Sequence, residues 1–236
     1  MKKIIHRSDQ RGYANHGWLI AHHSFSFAGF YDSSRTHFGM LRVLNDDIIS
    51  PGVGFPEHPH DNMEIITIPL KGSLEHKDSM GHASVIHDDE VQIMSAGSGV
   101  THSEFNHSKS EALNLLQIWV FPKIKNISPR YDQKKFLLKD RINKFQIVVS
   151  PDQESESLWI NQDAYFSLCF LEKDKIIDYK LKNKKNGVYL FIIEGSVTIS
   201  GEILNRRDAA GISETETIRI QSIEPATLLS IEVPMN

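Results

Sequence analysis

The sequence predicts an all-β protein made of two barrel-like halves in tandem. Three observations carry this reading. Apolar stretches are short and rich in Val, Ile, Leu and Phe; turn residues interrupt them at regular intervals; and no long amphipathic helical period competes. A chain of 236 residues that is 40% hydrophobic and 24% charged can bury one large β core or two smaller ones.

In chain order, Gly39–Val43 runs toward Asn45-Asp46-Asp47, and Glu64–Leu70 ends at Lys71-Gly72. Ala83–Ile86 and Val91–Ser95 flank the Asp88-Asp89-Glu90 turn, and Asn114–Phe121, apolar for most of its length, stops at Pro122. Phe145–Ser150 stops at Pro151, Phe166–Leu171 precedes a charged turn, and Val188–Ile193 follows Asn186-Gly187. Val197–Ser200 ends at Gly201, Thr217–Ile220 alternates with period two, and Thr227–Val233 ends at Pro234. This spacing reads as a sandwich or barrel.

Leu70-Lys-Gly-Ser-Leu-Glu-His76 and Ile193-Glu-Gly-Ser-Val-Thr-Ile199 echo one another, each followed by a polar turn ending in an acid. The halves are therefore expected to share one β fold. The expected units are 1–125 and 144–236, joined by a linker over 126–143 within a polar, Lys-rich stretch.

Charge narrows the function. Lys and Arg number 26 against 30 Asp and Glu, a formal charge of −4, so there is no basic footprint for direct nucleic-acid binding. One cysteine, Cys169, is read as a small core residue and permits neither an intrachain disulfide nor a thiolate metal site. Behind MKKIIHRSDQ there is no apolar signal region, and no run of 18 apolar residues occurs, so a cytoplasmic protein without membrane contact is expected.

Histidine is concentrated. All twelve lie between His6 and His107. His58-Pro-His60 places two imidazoles on one face of an extended strand, and His102-Ser-Glu104 does the same for an imidazole and a carboxylate. Three neutral imidazoles and one carboxylate suit a six-coordinate first-row divalent ion with open positions. His58, His60, His102 and Glu104 are the expected ligands. Glu64 is expected to support them or stand in reserve, and His22-His23 beside Ser24 to be structural or pocket-lining. His76, His82, His87 and His107 are expected at the surface, and Lys180–Lys185 as a solvated hairpin. Ligand offsets projected onto the second half land on Leu181, Asn183, Ile220 and Ser222, so that half is expected to hold no metal.

Gly52-x5-His58-x-His60-x3-Glu64 and Gly99-x2-His102-x3-Asn106 resemble the two motifs of the cupin superfamily. RGYANHGW, HSFSF, FGMLRVLNDD, HPHDNMEI, EHKDSMG, MSAGSGVTHSE, QIWV and PRY resemble, more narrowly, a bacterial pirin, densely from Arg11 to Tyr131. Gly97 stands where the general cupin motif carries proline, as pirins tend to show. The resemblance implies a bicupin of two β-barrel or jelly-roll domains with one metal ion in the N-terminal barrel. The implied ion is iron(II), with Mn, Ni, Co, Cu and Zn as alternatives. It also implies a quercetin 2,3-dioxygenase-like activity, in which a flat phenolic substrate reacts with O2 and CO is released, with Glu104 as catalytic base. Two alternatives are a redox-sensitive metal protein acting through a protein partner without turnover, and a metal-assisted isomerase or hydrolase that needs no O2.

Overall fold

The computed structural model describes residues 1–236, and they form an all-β protein of two similar halves. Each half closes a large sheet over a small one. In the first half the large sheet has the order Arg130–Lys135, Glu90–Ser95, Glu64–Lys71, Leu113–Val120, Leu41–Ile49, Leu19–His23, Gly12–Asn15. Its small sheet has the order Gly54–His60, Val100–Asn106, Ser73–Asp78, Ala83–His87. The second half repeats this arrangement. Its large sheet is Lys2–His6, Ala209–Ser213, Asn186–Glu194, Ala226–Pro234, Tyr165–Leu171, Gln146–Ser150, Leu158–Trp159, and its small sheet is Ile176–Lys180, Thr217–Ser222, Val197–Ile199, Glu202–Leu204. The hairpins after Gly72 and Gly195 occupy corresponding places, which accounts for the echo in sequence.

Two strands leave the order of the chain. Lys2–His6 pairs with Ala209–Ser213 of the second barrel, while Arg130–Lys135, inside the segment read as a linker, pairs with Glu90–Ser95 of the first. Each covers the same edge of its large sheet, where unpaired backbone groups would otherwise face outward. We keep 1–125 and 144–236 as the proposed units, with these two strands laid along sheet edges.

The large sheets pack back to back. The largest core cluster, 26 buried residues, draws Leu116, Ile118 and Val120 from one sheet and Phe166, Phe191 and Ile231 from the other. Strand Leu113–Val120 is thus covered on both faces, since Leu115 points into the first barrel while Leu116 points into the shared core. Glu64 lies on this outer face, beside Ile66 and Ile68. Its Oε2 accepts hydrogen bonds from Ser95 Oγ at 2.8 Å and from the backbone N–H of Asn161 at 3.1 Å. It therefore fastens the two halves and faces away from the interior of the first barrel.

The second barrel is filled with hydrocarbon, from Val188, Leu190 and Ile192 to Ile218, Ile220 and Leu228. Cys169 belongs to this core, and burial pushes its thiol up to about 12, as expected for an inert residue. The Lys180–Lys185 hairpin is anchored from within. Glu232, fully buried, accepts hydrogen bonds from the N–H groups of Lys182 and Asn183, the Asn186 amide and the Tyr179 hydroxyl.

Because the main core is shared, Phe166→Ala should cost about 3–5 kcal/mol and weaken both halves together. In urea, fluorescence of Trp18, Trp119 and Trp159 and far-UV circular dichroism should report one coincident transition; two separated transitions would contradict a common core.

Candidate metal centre

Two antiparallel strands create the site. Gly54–His60 pairs with Val100–Asn106 so that His58 lies opposite His102 and His60 opposite Val100. A bulge between His102 and Glu104 places Glu104 against Phe55. Gly54 permits this close approach, because a Cβ there would sit 2.1 Å from the Glu104 carbonyl oxygen. Gly97 serves the turn that leads into the second strand. It has φ +49°, and a Cβ would meet the Ile127 carbonyl oxygen at 2.1 Å, so a proline does not fit the place it fills here.

The three imidazoles converge. Ring centroids are 4.8 Å apart for His58 and His60, 4.5 Å for His58 and His102, and 4.9 Å for His60 and His102. His58 Nδ1 is 2.8 Å from the Pro56 carbonyl oxygen, which makes Nδ1 the protonated nitrogen and leaves Nε2 as a lone-pair donor. Burial, reinforced by the neighbouring rings, lowers His60 to about 4 and His102 to about 3. Both are neutral at physiological pH, the form that binds a cation.

Glu104 completes the cluster on one side. Its Oε2 accepts a hydrogen bond from Gln117 Nε2 at 2.9 Å, whereas Oε1 is buried without a partner. Burial pushes the carboxyl up to about 7 against the pull of the Gln117 amide. Asp47 shares the interior, and burial with Asp46 and Glu104 nearby takes it to about 8.

His76 is the residue that the sequence reading misplaced. Expected at the surface, it is fully buried, with Glu104 opposite it across the sheet. Its Nε2 lies 3.2 Å from Asp78 Oδ2, and Asp78 also holds His82 Nδ1 at 2.9 Å. Tyr131 stacks on both His76 and His82, with centroids 4.7 and 4.9 Å away. The signal was the period-two pattern Leu74, His76, Asp78, which shares a face with the inward Leu74. His87 and His107 are exposed as expected, and His82 is half-exposed.

Two overlapping groups of side chains could hold a metal: His58, His60, His102 and, deeper, His76, His102, Glu104. In each, the potential ligand atoms lie within 4.8 Å of one another. Both ring nitrogens of His102, Nδ1 of His76 and Oε1 of Glu104 are buried without hydrogen bonds. An orphaned buried polar atom costs about 1–3 kcal/mol, and a divalent cation would satisfy several of these at once. The donor set of imidazole and carboxylate fits such an ion.

A cavity of about 190 Å3 opens beside His58, His60 and Glu104, walled by Phe27, Phe55 and Trp119 with Asn45, Asp47 and Gln117 as polar lining. His23 Nδ1 is 2.9 Å from Asn45 Oδ1, so His23 braces this lining, and Ser24 is buried with no hydrogen bond to its hydroxyl. No serine triad forms.

The second barrel carries none of this. Ile220 opposes Ile199 as Glu104 opposes His76, and Tyr179 opposes Ile218 as His58 opposes His102. The counterparts of the ligand cluster are therefore Tyr179, Leu181, Ile218 and Ile220, two residues before the projected Leu181, Asn183, Ile220 and Ser222. The shift arises because the loops between the anchoring turns differ in length. All four belong to or pack against the hydrocarbon core.

Family models match both halves of the chain. The pirin family model matches residues 5–120, and the quercetinase C-terminal cupin domain matches residues 147–233. The chain is 40% identical over 230 residues to quercetin 2,3-dioxygenase of Escherichia coli (strain K12), covering 98% of each chain. It is 40% identical over 225 residues to the pirin-like protein of Caulobacter vibrioides, covering 95% of this chain and 96% of that one. The crystal structure of the bacterial pirin YhhW in complex with nickel(II) from Escherichia coli superposes with a TM-score of 0.93 at 39% identity, covering 99% of each chain. With its two cupin barrels, its buried histidine and carboxylate cluster and these relatives along its whole length, the chain belongs to the pirin family.

Proposed function

We propose that this protein is a metal-dependent dioxygenase that opens the central ring of a flavonol such as quercetin with O2 and releases CO. The observation that carries the reading is the convergence of His58, His60 and His102, joined through His102 to Glu104, with unpaired buried atoms on His102 and Glu104, beside an aromatic-lined cavity that His58, His60 and Glu104 border. These four are the proposed ligands of one divalent ion, and iron(II) is the proposed ion. A relative bears the name quercetin 2,3-dioxygenase, and a related pirin is described with nickel(II), which supports this class of chemistry and of ion.

A divalent ion held there would supply Lewis acidity toward a phenolic oxygen. The chain's own groups do the rest. Phe27, Phe55 and Trp119 receive the flat ring system, and Glu104, whose carboxylate must partly detach while the three histidines would hold the ion, takes the proton of the flavonol 3-hydroxyl on Oε1 as Gln117 steadies Oε2. The cavity is below the ~300 Å3 typical of small-molecule sites, so part of the flavonol would extend past its mouth.

His58→Ala should sharply reduce metal content, and His102→Ala should reduce it further because His102 belongs to both donor groups. Elemental analysis of the purified variants checks this; full occupancy in both would remove these residues from the site. Circular dichroism should stay β-type after chelation, since the cores that hold the fold lie elsewhere.

Glu104→Gln should retain most of the metal, with three imidazoles left, yet lose about 10²–10⁴-fold in turnover because an amide cannot accept the hydroxyl proton. O2 uptake and CO release with quercetin are the readouts. A metal-loaded parent that binds quercetin without consuming O2 would leave the regulatory reading as the better account.

Stability gives a further check. In the metal-free fold Asp47, raised to about 8, and Glu64, raised to about 7, keep protons that the unfolded chain has already released. Folded stability therefore falls as pH rises through that window. His60 and His102, lowered by burial, act in the opposite sense only below the unfolded histidine value of about 6.5. Metal-free Tm should thus decline between about pH 6.5 and pH 8.5, and Asp47→Asn should flatten the decline. A Tm that rose over this range would contradict the buried, protonated state of Asp47.

A further inference from the structure

The motif that opens with Arg11 has no part in the metal cavity, and it lines a different one. Along strand Leu41–Ile49 the side chains of Asn45 and Asp47 enter the first barrel, while Asp46 points to the other side, toward the second half. A cavity of about 320 Å3 lies there, lined by Arg11, His22, Asp46 and Asn114 of the first half and by Arg206 and Arg207 of the second, with Ser8, Asp9 and Ile48 completing its wall.

Its charges are unevenly partnered. Asp46 Oδ2 is 2.8 Å from Arg207 Nε, and Asp46 Oδ1 accepts a hydrogen bond from Asn114 Nδ2 at 2.8 Å. Arg207 also donates to the Ile193 carbonyl and to Asn114 Oδ1. That pair is satisfied. Arg11 is not. Its side chain is 6% exposed and lies over the Phe191 ring, its polar contacts are long, 3.5 Å to Asp46 Oδ2 and 3.4 Å to the Ser8 carbonyl, and Nη2 makes no hydrogen bond within the protein while keeping some access to solvent. Burial and the nearby Arg207 hold its guanidinium below the ordinary arginine value. Arg206 is fixed through Nε to Glu194 at 2.7 Å, outside the cavity, which leaves its two terminal nitrogens without partners.

Three guanidiniums therefore border a cavity that holds two carboxylates. Asp46 is already engaged by Arg207 and Asn114, and Asp9 is exposed. Arg11 shares the Asp46 counter-charge with Arg207 at the longer distance of 3.5 Å, and the remaining edge of its planar fork matches the two oxygens of a carboxylate or phosphate. We infer that this cavity between the halves binds a small oxyanion, a carboxylate or a phosphate, received by the free edge of Arg11 and closed over by Arg206. The site is separate from the metal cavity, which opens from the opposite face of the same strand. It takes residues from both halves, so its ligand would bind only the assembled fold and stabilise it.

The test is a thermal titration of the full chain with sodium phosphate and, separately, sodium acetate, each balanced with sodium chloride to constant ionic strength. The parent should show a saturable rise in Tm of several degrees with at least one oxyanion, and the stronger arm identifies phosphate or carboxylate as the preferred class. Arg11→Gln should abolish the rise. Arg206→Gln, made at an exposed side chain that leaves the core untouched, should raise the half-saturating concentration at least several-fold, and it decides the matter if Arg11→Gln does not fold. No rise, an unsaturable rise common to parent and variants, as excluded salts produce, or an unchanged midpoint in Arg206→Gln would overturn the inference.

Discussion

Back-to-back packing of the two seven-stranded sheets is the constraint on which the rest of the structure depends. It uses the outer face of each large sheet, so a strand such as Leu113–Val120 must be apolar outward at Leu116, Ile118 and Val120 and is free to vary inward. The largest share of the core is thereby placed between the barrels. The interior of the first barrel needs hydrocarbon only in part, at Leu74, Ile86, Leu113 and Leu115, and elsewhere it carries Gln117, Glu104, Asp47 and the imidazoles. The second barrel, with no such polar set, closes on Tyr179, Ile218 and Ile220.

Burial of the side chains sets the protonation states of the site. Burial costs any charged form, so His60 and His102 stay neutral while Asp47 and Glu104 hold protons into the neutral range when no cation is present. Such a site is poorly satisfied by itself. Both ring nitrogens of His102, Nδ1 of His76 and Oε1 of Glu104 lack hydrogen-bond partners, and a divalent ion would satisfy several of them at once and favour the ionised form of Glu104.

Strand Leu41–Ile49 couples the two regions of chemical interest by alternation alone. Asn45 and Asp47 build the wall of the metal cavity, and Asp46 between them binds Arg207 across the seam between the halves. One strand thus positions groups for two separate cavities, and the rigidity of its pairing on both sides keeps the sets apart.

The sequence by itself determined the all-β class, the duplication and the principal cluster. Val, Ile, Leu and Phe runs mark strands because burial on one or both faces demands apolar side chains there, and His58, His60, His102 and Glu104 share faces by a period of two that any extended chain obeys. Polar strands were not legible. Arg130–Lys135 and Ser73–Asp78 lack an apolar run, and only backbone pairing with a neighbour makes them strands. His76 was easily missed for the same reason, since the period-two pattern with Leu74 and Asp78 was its one local signal and Tyr131, which covers it, comes from a distant strand. Glu64 resembled a ligand by motif, but its face was set by the register of its strand, which turned it outward to Ser95 and Asn161. The cavity around Arg11 likewise exists only once both halves are docked, because the contact of Asp46 with Arg207, far apart in the chain, depends on how the sheets pack, and side-chain spacing along the chain carries no record of it.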